Sequence, residues 1–138
     1  MPASFTESAT PVSLRRLFAS ASFVGCGDVA VSDVSDDSRE CRPGCLFAAL
    51  PGHRTDGLDH LDEAIQRGAT ALLLSRPLPE IPLPQCIVPD VRHAYATLCE
   101  ALFGYPSRRL GMVGVTGTNG KTTVTWMIRS IQIGRAHV

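Results

Sequence analysis

Lysine is all but missing from this chain. Of thirteen basic residues twelve are arginine, and Lys121 stands alone. An excess of charge is missing too: thirteen acidic residues balance the basic ones, which removes the usual ground for non-specific adhesion to nucleic acid or anionic membrane. No apolar run is long enough to span a bilayer. The start, Met1-Pro2-Ala3-Ser4, lacks a basic region followed by an apolar stretch, so no secretory signal is read and a cytoplasmic location is expected. The five cysteines (Cys26, Cys41, Cys45, Cys86 and Cys99) are odd in number and have no framework spacing. Cys41 and Cys45 resemble half a metal site, but no second pair or histidine at ligand spacing completes it, so reduced thiols are expected. At 138 residues there is room for one ordinary domain.

What is present alternates between apolar stretches and turn signals. Val12, Leu14, Leu17 and Phe18, with Arg15 and Arg16 opposite, predict a short helix over 12–21. Val29 to Val34 and Cys45 to Leu50 read as strands, separated by a polar loop that ends in Pro43-Gly44. A second loop, 51–57, leads into a helix carrying Leu58, Leu61, Ala64 and Ile65 on one face, with Asp56-Gly57 as its opening turn and Gly68 as its stop. Ala69 to Leu74 and Cys86 to Val88 are further strands. Asp90 is a fitting N-cap for a helix over 91–103 that buries Val91, Ala94, Leu98, Ala101 and Leu102. Tyr95 and Trp126 read as packing residues, while His60 and His93 have no partner at metal spacing and receive no role. Strands alternating with helices of this length predict an α/β domain with a largely parallel sheet.

Gly104-Tyr105-Pro106-Ser107 punctuates the chain, and a domain boundary is expected there. Beyond it, Leu110 to Val115 reads as a strand and Thr122 to Ile131 as a helix, with Val113-Gly-Val-Thr-Gly-Thr-Asn-Gly-Lys-Thr-Thr123 between and around them. The general phosphate-loop pattern wants a glycine five places before Gly120, where Val115 stands. The physical ingredients are nevertheless complete. Gly117 and Gly120 allow a tight turn, the loop amides can face anionic oxygens at a helix start, Lys121 supplies charge, and Thr122 supplies a hydroxyl for Mg²⁺. A slim ammonium used once, beside Gly120, in a chain that otherwise uses arginine points the same way. A nucleotide loop binding ATP through Gly117, Thr118, Asn119, Gly120, Lys121, Thr122 and Thr123 is expected.

That loop, Gly-Thr-Asn-Gly-Lys-Thr-Thr over 117–123, resembles the ATP loop of the Mur ligase family, which uses a shorter spacing than the general motif. So do Asp37-Ser38-Arg39, then Pro43-Gly44 through Pro51-Gly52, Asp56-Gly57, Ala64-Ile65 and Gly68-Ala69, which are similar to the N-terminal uridine-nucleotide-binding domain of its tripeptide-forming branch. The resemblance covers about residues 28 to 131. It implies an ATP- and Mg²⁺-dependent carboxylate–amine ligase that adds meso-diaminopimelate or L-lysine to UDP-N-acetylmuramoyl-L-alanyl-D-glutamate through an acyl phosphate. In that reading Lys121 and Thr122 are catalytic, with Thr122 also the metal ligand. A monomer acting on small molecules, with no nucleic-acid or membrane partner, is expected.

The same resemblance carries Asp36, Ser38, His53, Arg54 and Thr55 over as contacts to the UDP-sugar, although the family often has an apolar residue at 36 and Gln at 54. Arg39 has two readings: its guanidinium fork suits a diphosphate, and it equally suits a brace to Asp37 or Glu40. The expected organisation is a small α/β substrate domain over 1–107, the first strand, loop and helix of a truncated ATPase domain over 108–131, and a non-native tail over 132–138. The tail includes Ile-Gly-Arg-Ala-His-Val, which one frame of a common sequencing adapter encodes. Two alternatives stay open: the ligase that adds D-alanyl-D-alanine, which typically has Ser where Thr118 stands, and a stand-alone UDP-sugar-binding module ending near 131.

Overall fold

Neighbouring residues of the apolar stretch 45–49 face opposite sides of a sheet, and each side is roofed by a helix. The computed structural model describes residues 10–52, 56–111 and 113–135. The chain separates into two units, Met1–Pro106 and Ser107–Val138.

In the first unit, β1 (Val12–Ser13) runs into α1 (Leu14–Leu17), followed by β2 (Ser22–Val24), β3 (Ala30–Val31), β4 (Val34–Ser35) and β5 (Leu46–Ala48). Then come α2 (Leu61–Gln66), β6 (Ala71–Leu74), β7 (Gln85–Ile87) and α3 (Val91–Leu102). Five strands form one sheet in the order β2-β7-β6-β5-β4. The pairs from β4 to β7 are parallel, and β2 joins β7 antiparallel at the edge. The largely parallel sheet expected from the alternation is thus present.

Strands buried on both faces carry continuous apolar sequence, and the period-two pleat sorts that sequence into two cores. Leu46, Ala48, Ala71, Leu73 and Cys86 face Leu14 and the Val91, Ala94 and Leu98 stripe of α3. Phe47, Leu72 and Leu74 face Leu61 and Ala64 of α2. Gln85 is a fully buried polar side chain, and it is satisfied: its amide brackets the backbone of Leu78 and accepts from it, and also donates to Ile81 O. Asp90 caps α3 as expected, accepting from His93 N at 2.9 Å. Ala101 and Leu102 lie only half-buried at the end of that helix.

Two local expectations change in the first unit. The helix predicted over 12–21 is confined to Leu14–Leu17, because the Ser13 hydroxyl accepts from Arg16 N and fixes the helix start after it. Val12 and Ser13 instead pair with Val31 and Ala30. The single strand predicted over 29–34 is two short strands, β3 and β4, since the chain leaves β1 after Val31 and joins β5 at Val34.

The second unit has α4 (Pro106–Arg109), which straddles the division, and α5 (Lys121–Arg135). Among its described residues no strand forms, so the strand predicted over 110–115 is not observed. A helix satisfies its backbone locally, whereas a strand needs a partner, and this unit offers none. α5 also runs through Gly134, past the break expected at the tail; one glycine in a helix costs only about 1 kcal/mol.

Two glycines hold the first unit's loops to the sheet. Gly68, at φ +108°, ends α2, and a Cβ there would lie 2.8 Å from Pro43 Cα. Gly57 donates to Leu50 O at 2.9 Å, and a Cβ on it would lie 2.6 Å from Leu50 N. Gly57→Ala should therefore cost about 1–3 kcal/mol in urea unfolding. Gly27→Ala, where a Cβ meets nothing within 4 Å, should leave the midpoint in place.

Candidate functional site

The loops after β4 and β5 leave the carboxyl ends of neighbouring parallel strands, the side of an open α/β sheet where ligands meet it. Between them lies an open cleft of about 490 Å³. Its walls include Asp36, Asp37, Ser38 and Arg39 from the first loop, Leu50 and Gly57 from the second, and His60 and Glu63 from the turn and helix that follow.

The first loop is held by its own polar groups. Ser35 Oγ donates to Asp37 O at 2.9 Å and accepts from Asp37 N at 3.1 Å. Asp37 caps a short 3₁₀ turn over Ser38–Glu40 by accepting from Arg39 N at 2.9 Å. That turn aims the buried Ser38 hydroxyl at α2, where it donates to Glu63 Oε2 at 2.6 Å. Arg67 Nε reaches the other oxygen of Glu63 at 3.2 Å. Asp36 accepts from Tyr95 Oη of α3 at 3.1 Å, and Arg92 of the same helix donates to Pro51 O at 2.9 Å. One helix thereby holds both cleft loops.

The sequence left Arg39 between a diphosphate fork and a brace, and the structure gives the brace. Its guanidinium contacts both oxygens of Asp37, the shortest at 2.6 Å. The hydrogen bond from Arg39 pulls the Asp37 carboxyl down to about 2. Glu63 is also held below its ordinary range, first by the Ser38 hydroxyl and then by Arg67. Burial pushes the Cys41 thiol up to about 12, with Cys45 beside it adding to the effect, and Cys86 up to about 11. Such thiols are poor nucleophiles. All five cysteines are free, and among the described residues no group of three or more His, Cys, Asp or Glu is placed to hold a metal ion.

In the second unit the glycine loop has the backbone its sequence requires, with Gly117 at φ +140° and Gly120 at φ +76°. Val124 N bonds to Gly120 O, so the amides of Lys121, Thr122 and Thr123 belong to the first turn, where a helix provides no carbonyl partner. Lys121 Nζ donates to Gly117 O at 2.6 Å and spans the two ends of the loop. Thr122 is exposed one residue further along. Trp126, expected to pack, is 58% exposed, with the Arg129 guanidinium 4.9 Å from its ring centre.

Of the substrate residues expected from sequence, Asp36, Ser38 and Arg39 meet in one cleft. His53, Arg54 and Thr55 lie outside the described residues. Asp56 forms the expected opening turn, capping the residues that follow in a reciprocal box with Asp59. The sequence reading missed His60 and Glu63 as cleft residues. The helical period put both on the polar side of the 57–66 segment, but nothing in it showed that Ser38 lies opposite.

A doubly covered parallel sheet with a polar cleft at its carboxyl edge, followed by a glycine loop opening a helix, defines an α/β ligand-binding protein. The family model described as "Mur ligase family, catalytic domain" matches residues 30–102. This chain belongs to the Mur ligase family. It is 46% identical over 95 residues, 69% of the chain and 19% of the relative, to the UDP-N-acetylmuramoyl-L-alanyl-D-glutamate--2,6-diaminopimelate ligase of Geobacillus thermodenitrificans. The protein of the same name from Lactiplantibacillus plantarum is 42% identical over 104 residues, 75% of the chain and 21% of the relative. The chain thus spans about a fifth of the length of the curated relatives it matches. Among solved structures, the UDP-N-acetylmuramoylalanyl-D-glutamyl-2,6-diaminopimelate--D-alanyl-D-alanyl ligase of Acinetobacter baumannii superposes with a TM-score of 0.65 at 25% identity, covering 91% of this chain and 29% of that one.

The Asp37–Arg39 pair has a signed consequence. The folded pKa of Asp37 is depressed from 3.8 to about 2, so its stabilising contribution is complete above pH 3.8 and disappears as pH falls toward 2. Arg39→Ala should be destabilised relative to the parent only above that window, by a small amount that salt reduces, because the pair is exposed. Urea midpoints at pH 2 and pH 6, with and without 0.5 M salt, check this.

Proposed function

We propose that the chain is the opening part of an ATP-dependent ligase that adds the third residue of the peptidoglycan stem peptide. The substrate of the parent enzyme would be UDP-N-acetylmuramoyl-L-alanyl-D-glutamate. Residues 1–107 would bind its uridine nucleotide, and 108–131 would open the ATP-binding domain. The observation that carries the reading is Ser38 standing in the wall of a cleft at the sheet's carboxyl edge, in a chain 46% identical to a ligase of that name. The shared name of the relatives favours diaminopimelate over L-lysine as the added residue. Their higher identities also favour this ligase over the D-alanyl-D-alanine-adding one, of which the solved relative that covers 91% of this chain stands at 25%.

On this reading Asp36, Ser38 and Arg39 line the nucleotide cleft, and His53, Arg54 and Thr55 would be further contacts to the UDP-sugar. The residues over 117–123 fit a nucleotide's phosphates: two left-handed glycines, a helix of fifteen residues, and a lysine and threonine at its start. Lys121 would exchange the Gly117 carbonyl for phosphate oxygens, and Thr122 would hold Mg²⁺. When bound, MgATP supplies activation of the glutamyl carboxylate for attack by an amine. Lys121 and the loop amides contribute fixed positive potential where charge builds up, which is the larger part of such catalysis. The reading carries a cytoplasmic location with it.

Isothermal titration of UDP-N-acetylmuramoyl-L-alanyl-D-glutamate into the chain should show saturable one-to-one binding. Ser38→Ala should weaken it by about tenfold, the worth of one good hydrogen bond. A folded sample that gives no heat overturns the uridine-nucleotide assignment.

A further inference from the structure

Ser38 is the most buried polar side chain facing the cleft, and its proton is already committed. An ionised carboxylate can only accept, so the 2.6 Å contact to Glu63 Oε2 requires the serine to donate. What remains for a ligand is the oxygen's lone-pair side. The other polar groups nearby are committed in the same sense. Arg39, the arginine that the first loop brings to the cleft, is paired with Asp37 through both carboxylate oxygens. Asp36 accepts from Tyr95 and keeps further lone pairs. Among the described residues, three carboxylates thus share this wall with Arg39, already paired, and with His60. A phosphate brought to Ser38 would find an acceptor and negative charge, whereas an N–H or O–H would find a prepared partner.

We propose that Glu63 is a positioning residue for the cleft's ligand. By taking the Ser38 proton it makes Ser38 an acceptor, so that this wall binds a neutral hydrogen-bond donor, an imide N–H or a sugar hydroxyl, and turns anionic oxygen away. The inference rests on the uridine-nucleotide reading and deepens it: the nucleoside, not the diphosphate, lies against Ser38. Glu63 acts through Ser38 and stands on the surface of α2, 41% exposed, so its removal leaves the core intact.

The test uses the 138-residue chain with Glu63→Ala and Glu63→Gln, and reads dissociation constants and the Ser38 amide signal by NMR. Losing the carboxylate frees the serine proton. Glu63→Ala should bind uridine diphosphate about tenfold more weakly and inorganic pyrophosphate several-fold more tightly. Glu63→Gln keeps a carbonyl acceptor and should stay within about threefold of the parent, a rescue that a merely structural role would not produce. In the parent, uridine should shift the Ser38 signal and pyrophosphate should not; 3-methyluridine and 2′-deoxyuridine then separate the imide donor from the ribose donor, one of them losing the shift. Binding of uridine diphosphate that is indifferent to Glu63→Ala, or a Ser38 signal that answers to pyrophosphate alone, overturns this inference and leaves the nucleotide reading standing. Failure of the parent to bind UDP-N-acetylmuramoyl-L-alanyl-D-glutamate at all overturns both.

Discussion

The register between β4 and β5 is the constraint on which the first unit depends. Val34 opposite Leu46 and Ser35 opposite Phe47 is a pairing only two residues long. It nevertheless fixes which side of the sheet the next four residues leave from. Because the side-chain period of a strand is two, a slip by one residue would exchange the faces of Val34 and Ser35 and carry the following turn with them. Ser38 would then no longer reach α2, which lies on the Phe47 side of the sheet. So short a pairing holds its register because of what surrounds it. Phe47 is fully buried between Leu61, Ala64 and Leu72, and Ser35 is tied on both its donor and acceptor sides to the Asp37 backbone.

The position of the cleft follows from the same geometry, and so does its electrostatic character. The first loop pairs Arg39 with its own Asp37, and α3 reaches over to hold Asp36 and Pro51. Among the described cleft residues, what is left facing solvent is mostly acceptor, set by the bonded network of Asp36, Asp37, Ser38, Arg39 and Glu63. A preorganised wall of this kind loses little freedom when a ligand arrives, which is where much binding free energy otherwise disappears.

How much of this was legible in the sequence divides along a physical line. Signals that act within a few residues were readable: the Asp90 cap, the Gly68 stop, the Asp56-Gly57 turn, and the buried runs that became β5 and β6. Their causes are local hydrogen bonds and backbone freedom. Signals that need a partner elsewhere were not. Val29 to Val34 carries a strand's composition, but two different neighbours divide it. Leu110 to Val115 carries it too, and no strand forms among the described residues there. The same reason hid Glu63, whose contact with Ser38 spans twenty-five residues of sequence. A known family pattern supplied Ser38 as a site residue, but no pattern supplied its hydrogen-bond direction.

The two units hold their cations in opposite ways, and the lysine scarcity noted first becomes intelligible in that light. Arginine serves the first unit because its planar fork can be fixed against a neighbour, as Arg39 is on Asp37 and Arg67 on Glu63. Such a cation is a structural strut, and its charge is largely cancelled where it stands. The proposed nucleotide loop would need the reverse: a cation held by a bond that a ligand can replace. Lys121 donates to the Gly117 carbonyl across the loop, a neutral acceptor far weaker in its hold than a carboxylate. An arginine there would carry five donors in a rigid fork to a loop whose glycines leave room for close approach by an anion, and a bulky planar head would compete with it for that room. On the proposed reading the one compact ammonium stands where charge must stay available, while Arg39 and Arg67 stand where charge holds the protein to itself.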